Sequence, residues 1–154
     1  MIAILPGSYD PITKGHVEII KKASAEFDEV YVVAFINPKK EYSFSEKERL
    51  EMLSLATRAF KNVYTDFYSG LVIDYMNEKG IDVIVKGYRN DADLEYERTQ
   101  AEWNLKNGGY ETVFVKCEEG YEDISSTEAR RLIAEGGDLS RILTPEIAEF
   151  VKKH

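Results

Sequence analysis

The sequence is poor in the residues that bind metals and form disulfides. Among its 154 residues it has one cysteine, Cys117, and two histidines, His16 and His154. A single cysteine cannot form an intrachain disulfide, which favours a reducing compartment, so we expect a cytoplasmic protein. So few histidine and cysteine ligands argue against a zinc site held by the protein. The sequence also lacks an apolar run of about 20 residues and a basic leader, so we expect neither a membrane partner nor a signal peptide.

Positive charge is in short supply as well. Lysine and arginine total 20 against 28 acidic residues, giving a formal net charge of −8. This balance argues against nucleic acid as a partner, because nonspecific affinity for nucleic acid depends on many basic side chains. An anionic small molecule stays compatible, since its site needs only local positive charge. The length fits one domain with a proper core, and we predict a single domain over residues 1–154.

Short apolar segments alternate with amphipathic segments along the chain. This alternation is typical of a parallel sheet covered by helices on both faces. The predicted strands are 1–5, 30–36, 63–67, 82–85 and 112–116. The predicted helices are 15–27, 45–59, 69–80, 90–107 and 125–134, with a last one starting at Thr144 and Pro145. The fold class is therefore α/β, with a single-domain, Rossmann-like sheet of five parallel strands.

The turn after the first strand carries the clearest functional signal. Residues 6–16 combine two prolines and two glycines with a helix start, which places backbone N–H groups at the carboxyl end of a strand. Gly7 allows close approach of a ligand to the backbone, and Ser8 adds a hydroxyl. His16 lies at the helix start, where the dipole disfavours an imidazolium, so a ligand explains it better than capping does.

Further candidate phosphate-binding groups follow other predicted strands. Lys40 lies in the loop after the second strand, and Lys86 and Arg89 lie in a loop after the fourth. Ser125, Ser126 and Thr127 open a helix after the fifth strand. The carboxyl ends of parallel strands share one edge of a sheet, where open α/β sheets bind their ligands. The sequence thus predicts a site for a polyphosphate ligand at that edge.

Three segments resemble one known family. Residues 7–16, GSYDPITKGH, closely resemble the G-[ST]-[FY]-[DN]-P-x-[TH]-x-G-H signature of the nucleotidyltransferase superfamily. The last part of this signature is often written HxGH, and its first position is Thr13 here. A threonine at that position resembles the phosphopantetheine adenylyltransferase branch. Residues 86–97, KGYRNDADLEYE, are similar to the RGxRxxxDxEYE segment of that branch, and residues 124–130, ISSTEAR, are similar to its ISSTxxR motif. The resemblance spans the whole chain in order.

The resemblance implies that ATP and 4′-phosphopantetheine react to give dephospho-coenzyme A and pyrophosphate, with Mg²⁺ carried by ATP. For such a reaction we expect in-line attack of the acceptor phosphate on the α-phosphorus of ATP, without a catalytic base, because the attacking phosphate is already an anion. The implied catalytic residues are His16, Lys40, Ser8 and Arg89. The implied ATP contacts are Ser8, Tyr9, His16, Gly87, Tyr88, Arg89, Glu97, Tyr121, Glu122, Asp123, Ile124, Ser125, Ser126 and Thr127. The implied phosphopantetheine contacts are Ser8, Lys40, Val72 and Lys86. A homohexamer and feedback inhibition by coenzyme A are implied by the family alone.

Two departures from the family pattern concern the acceptor side. Lys86 replaces an arginine, so that a bidentate fork becomes a point charge, and Trp103 replaces a methionine before Asn104. Two alternatives to this function stay open. One is another nucleotidyltransferase, acting on nicotinamide mononucleotide or using CTP. The other is a non-catalytic nucleotide-binding regulator on the same fold.

Overall fold

The computed structural model describes residues 1–154 as five strands and six helices arranged around one sheet. The strands are β1 (Ile2–Gly7), β2 (Glu29–Ile36), β3 (Val63–Ser69), β4 (Val83–Tyr88) and β5 (Thr112–Lys116). The helices are α1 (Lys14–Glu26), α2 (Glu46–Thr57), α3 (Val72–Lys79), α4 (Asp91–Gly108), α5 (Ser126–Glu135) and α6 (Pro145–Lys153). The predicted α/β class and five-stranded parallel sheet are confirmed. No helix combines the length and the apolar character needed to cross a bilayer.

The sheet has the strand order β3-β2-β1-β4-β5, and every neighbouring pair is parallel. The chain adds β2 and β3 on one side of β1 and then β4 and β5 on the other side. The topological switch point therefore lies between the neighbouring strands β1 and β4, which is where open α/β sheets bind ligands. β1 stays paired with β2 as far as Gly7 and Ala34. It is paired with β4 only at Ala3 and Ile4. The carboxyl halves of β1 and β4 therefore separate, which opens a crevice in the middle of the sheet edge.

The core lies on both faces of the sheet. Successive residues of a strand point to opposite faces, so Ala3 and Leu5 join one cluster and Ile4 joins another. The larger cluster has 23 buried residues and includes side chains of α1, α2, α5 and α6. The smaller has 6 and includes two from α3, Tyr75 and Met76. Helix α4 has no buried residue.

Two predicted boundaries were wrong in ways that affect the site. β4 continues to Tyr88, because its pairing with β5 runs on to Tyr88 opposite Lys116. Lys86 and Gly87 therefore lie in a strand and not in a loop after it. α3 begins at Val72 rather than residue 69, because β3 extends to Ser69 and Gly70 adopts φ +145°. A residue with such a positive φ does not have helical backbone geometry, so the helix begins only after Gly70.

Candidate active site

A cleft of about 1200 Å³ opens where β1 and β4 separate. The turn after β1 and the start of α1 form one wall, and residues of α4 form another. The loop after β2, the end of β4 and the start of α5 complete the lining. The polar groups expected at one sheet edge therefore do meet in one cavity.

The structure brings together nearly all of the residues named from the sequence. Those that line the cleft are Ser8, Tyr9, His16, Lys40, Val72, Lys86, Gly87, Tyr88, Arg89, Glu97, Tyr121, Ile124, Ser125, Ser126 and Thr127. Glu122 and Asp123 are exposed and lie outside the lining. The Glu122 carboxylate accepts a hydrogen bond from the Gly120 N–H at 2.9 Å, and Asp123 forms an ion pair with Arg141. Their side chains are thus used in local contacts.

The His16 ring is held by the residue that caps its own helix. The Thr13 N–H donates to His16 Nδ1 at 3.0 Å, and the Thr13 hydroxyl lies 3.1 Å from the same nitrogen. The sequence favoured a ligand over capping as the explanation of His16, and the structure shows that His16 does cap, because it occupies the position from which a capping-box side chain reaches back. With Nδ1 accepting, the ring proton belongs on Nε2. Capping and ligand binding are compatible here, since they use different nitrogens.

The environment of His16 keeps the ring neutral. Desolvation, together with the smaller effect of the positive charges of Lys86 and Arg89, lowers the pKa of His16 to about 4. Tyr9 packs edge-on against the ring with centroids 4.9 Å apart. The Tyr9 hydroxyl donates to the Leu5 carbonyl at 2.8 Å, which supports a left-handed backbone with φ 49°. At neutral pH His16 can therefore present a neutral N–H donor inside the cleft.

Lys40 and Ser8 meet although they come from different loops. Lys40 Nζ donates to Ser8 Oγ at 3.2 Å. The ammonium and the hydroxyl are both hydrogen-bond donors to an anion, so this pair forms a small site for phosphate oxygens.

The two cations on β4 and after it have carboxylate partners on α4. Lys86 Nζ lies 3.3 Å from Glu97 Oε2. Arg89 Nε donates to Asp93 Oδ2 at 2.9 Å, and Arg89 Nη2 lies 3.3 Å from Asp93 Oδ1. Neither pair was predicted from the sequence. The i,i+4 spacing of Arg89 and Asp93 was the available signal.

Two buried polar residues beneath the cleft were also missed. The Asp10 carboxylate, 3% exposed, accepts the N–H groups of Ser43 at 2.8 Å and Phe44 at 2.9 Å. Arg49, 1% exposed, donates from Nη1 to the Ser8 carbonyl at 3.0 Å. Asp10 thus ties the turn after β1 to the segment after β2, and Arg49 ties the same turn to α2. No cluster of three or more histidine, cysteine, aspartate or glutamate side chains is placed to hold a metal ion.

Several known proteins are similar to this chain over most of its length. The model of a family described as cytidylyltransferase-like matches residues 4–132. Phosphopantetheine adenylyltransferase of Corynebacterium diphtheriae is 42% identical over 97% of this chain and 94% of its own length. The proteins of the same name from Clostridium novyi and Clostridium botulinum are each 41% identical, over 97% and 98% of this chain and 94% and 93% of their own lengths.

A solved structure shares the fold at low sequence identity. It comes from Vibrio parahaemolyticus and is provisionally named a nicotinate-nucleotide adenylyltransferase. It superposes with a TM-score of 0.72 at 18% identity, over 99% of this chain and 91% of its own. This likeness bears on the fold and not on the substrate.

Proposed function

Since the chain belongs to the phosphopantetheine adenylyltransferases of the cytidylyltransferase-like family, we propose that the cleft between β1 and α4 is where it acts. The protein is a nucleotidyltransferase of coenzyme A biosynthesis. It transfers the adenylyl group of ATP to 4′-phosphopantetheine, giving dephospho-coenzyme A and pyrophosphate. The observation that carries the site is that the neutral His16 donor and the Lys40–Ser8 pair line the same cleft.

The reaction needs positioning more than proton transfer. A phosphate oxygen of phosphopantetheine is already anionic, so it attacks the α-phosphorus of ATP without a general base. The new P–O bond forms in line as the bond to the pyrophosphate oxygen breaks, and negative charge accumulates on the oxygens between them. Groups fixed in advance as hydrogen-bond donors stabilise that charge without reorganising.

We assign the donors by their place in the cleft. His16 Nε2–H binds an oxygen of the α-phosphate, and Lys40 with Ser8 orients the attacking phosphate. Arg89 binds the phosphates of ATP, and Lys86 binds phosphopantetheine. Both must exchange a carboxylate on α4 for a phosphate, at least in part. Because phosphate oxygens accept the same charge-assisted hydrogen bonds as a carboxylate, each cation retains an anionic partner after the exchange.

The remaining lining residues divide between the two substrates. We assign Tyr9, Gly87, Tyr88, Glu97, Tyr121 and Ile124 with Ser125, Ser126 and Thr127 to ATP. Val72, at the start of α3, is assigned to phosphopantetheine. Glu122 and Asp123 are left out, since they lie outside the lining.

We further propose that Mg²⁺ enters with ATP. The cleft carboxylates of Asp93 and Glu97 face basic partners, so the protein offers few free oxygen ligands. Mg²⁺ retains waters readily and is commonly held by substrate phosphates, which fits this site. When bound, it supplies charge neutralisation for the pyrophosphate leaving group.

A homohexamer, feedback inhibition by coenzyme A and a cytoplasmic location stay predictions from the family resemblance. The apolar side chains left exposed on α4 and β3, Leu105 at 51% and Phe67 at 40%, support self-association. Light scattering of the purified chain measures the assembly directly. Dephospho-coenzyme A formation at rising coenzyme A concentration measures the inhibition.

The test of the function is pyrophosphate release with paired substrates. ATP or CTP is offered with phosphopantetheine or with nicotinamide mononucleotide. We expect release only with ATP and phosphopantetheine. Release with another pair would instead indicate a different nucleotidyltransferase. ATP binding without release from any pair would indicate a regulator.

A further inference from the structure

Arg49, on α2, is the only basic side chain that the fold buries, with 1% of its surface exposed. It appears in none of the ion pairs with N···O separations up to 4.0 Å. Its Nε has no hydrogen-bond partner. Burying a cation without a counterion is costly, so stability alone does not account for Arg49.

Two contacts hold the guanidinium just beneath the cleft. Its Nη1 donates to the Ser8 carbonyl at 3.0 Å. Its central carbon lies 3.9 Å from the centroid of the Tyr42 ring, which is a stacking distance for arginine on an aromatic face. Arg49 therefore contacts the turn after β1 and the loop after β2 at the same time.

The Tyr42 ring in turn organises the loop that carries Lys40. The Tyr42 hydroxyl accepts from the Asn37 N–H at 2.9 Å and donates to the Phe35 carbonyl at 3.4 Å. Lys40 Nζ lies 5.5 Å from the centroid of the same ring. Tyr42 therefore bonds to the backbone at the end of β2, and its ring lies within cation–π distance of the Lys40 ammonium.

We propose that Arg49 is a positioning residue for the attacking phosphate. By contacting the Ser8 carbonyl and the Tyr42 ring, its guanidinium sets the distance between Ser8 Oγ and Lys40 Nζ, now 3.2 Å. The inference rests on the proposed function, in which those two groups orient the phosphate of phosphopantetheine. It adds a residue that never touches the substrate and acts through two that do.

The test compares Arg49→Met with the wild-type chain and with Arg58→Met as a matched control. Arg58 is an exposed residue at the C-terminal end of the same helix, so its loss changes the net charge equally. Calorimetric titration gives the Kd of phosphopantetheine and of ATP separately, without turnover. We expect R49M to weaken phosphopantetheine binding about 10- to 100-fold, as for loss of a hydrogen bond to a charged group, and ATP binding about threefold or less.

Thermal unfolding separates positioning from structural support. Removing a buried, uncompensated charge should leave the Tm of R49M at or above that of the wild type. If R49M has a lower Tm and its affinities for phosphopantetheine and for ATP fall by the same factor, then Arg49 is a structural residue and the proposal is overturned. Wild-type affinity for phosphopantetheine in R49M would overturn it too.

Two more variants test whether the contacts carry the effect. Arg49→Lys retains the charge but has neither a planar face nor a fork, so it should bind phosphopantetheine as weakly as R49M. Full affinity in R49K would show that charge alone suffices. Tyr42→Leu should weaken binding as well, and the double variant should be no weaker than the worse single one, because the two side chains act as a unit. Additive losses would contradict that unit.

These readouts stay separate from the test of the function. A wild-type chain that binds phosphopantetheine but releases no pyrophosphate would remove the proposed function. The comparison of Kd values for Arg49 would still be decided by the titrations.

Discussion

The two walls of the cleft are built differently. The β1 wall consists of residues 7–16. Four of its side chains are at most 5% exposed, namely Tyr9, Asp10, Ile12 and Thr13. On the α4 wall, none of the helix residues is buried. The first wall is continuous with the core, whereas the second is tied to the end of β4 by the ion pairs Lys86–Glu97 and Arg89–Asp93.

This difference in burial matches the role proposed for each wall. Charge stabilisation in a transition state requires donors that do not move, and His16 is held by its cap and by packed neighbours. Lys86 and Arg89, in contrast, must dissociate from their carboxylate partners before they can bind phosphate. Partly exposed ion pairs allow this, since such pairs are individually weak.

The largest expected effect is the loss of the fixed donor. His16→Ala removes Nε2–H from the β1 wall, and loss of one such donor typically lowers kcat about 10²–10³-fold. ATP binding should change little, because the other phosphate contacts remain. Pyrophosphate release at saturating substrates measures kcat, and calorimetry measures ATP binding. Normal turnover in H16A would remove the catalytic role of His16.

The next largest effect is a loss of stability on replacing Asp10, whose buried carboxylate ties the β1 wall to the segment after β2. Asp10→Asn places an amide N–H against one of the backbone donors now bound by the carboxylate, Ser43 or Phe44. Leaving a buried group unsatisfied costs about 1–3 kcal/mol of unfolding free energy. Urea unfolding measures it. Asp138→Asn is the control, because Asp138 makes a similar bond to the Ser140 N–H at 2.9 Å on the exposed surface. A loss in D10N no larger than in D138N would show that Asp10 is not an anchor.

A third effect follows from the pKa of His16, which is about 4 in the folded chain and about 6.5 when unfolded. The folded value is lower, so the unfolded chain binds more protons between these values and stability falls as the pH drops through that window. His16→Gln can form the same capping box without titrating. Between pH 7 and pH 5 the wild type should lose about 1–2 kcal/mol more unfolding free energy than H16Q. Equal losses in urea unfolding would mean that the His16 ring is not desolvated.

Much of the β1 wall could be predicted from the sequence, because its information is local. An apolar strand, a turn with glycine and proline, and a helix start place Ser8 and His16 at the sheet edge with little reference to the rest of the chain. The capping role of His16 was missed, although its place three residues after the Thr13 cap was visible.

The α4 wall could not be predicted to the same depth. Its ion pairs depend on how far β4 extends and on how α4 is rotated about its axis, and neither follows from local pattern. Lys86 and Gly87 look like the start of a loop, since charge and glycine usually end a strand, but pairing with β5 overrides that preference. Arg49 was missed for a related reason: an arginine in an amphipathic helix is ordinarily exposed.

The smallest predicted effect is also the sharpest test of the difference between the walls. Asp93→Asn weakens the pair with Arg89, whose side chains are 37% and 29% exposed for Arg89 and Asp93. A pair this accessible to solvent should contribute at most about 1 kcal/mol to unfolding free energy. Asp93 and Asp10 are both aspartates that hold a group beside the same cleft, and the same substitution is made at each. Urea unfolding of D93N and D10N under one set of conditions therefore compares the walls directly. If D93N costs as much stability as D10N, the α4 wall is built as firmly as the β1 wall, and ready exchange of its carboxylates for phosphates no longer follows.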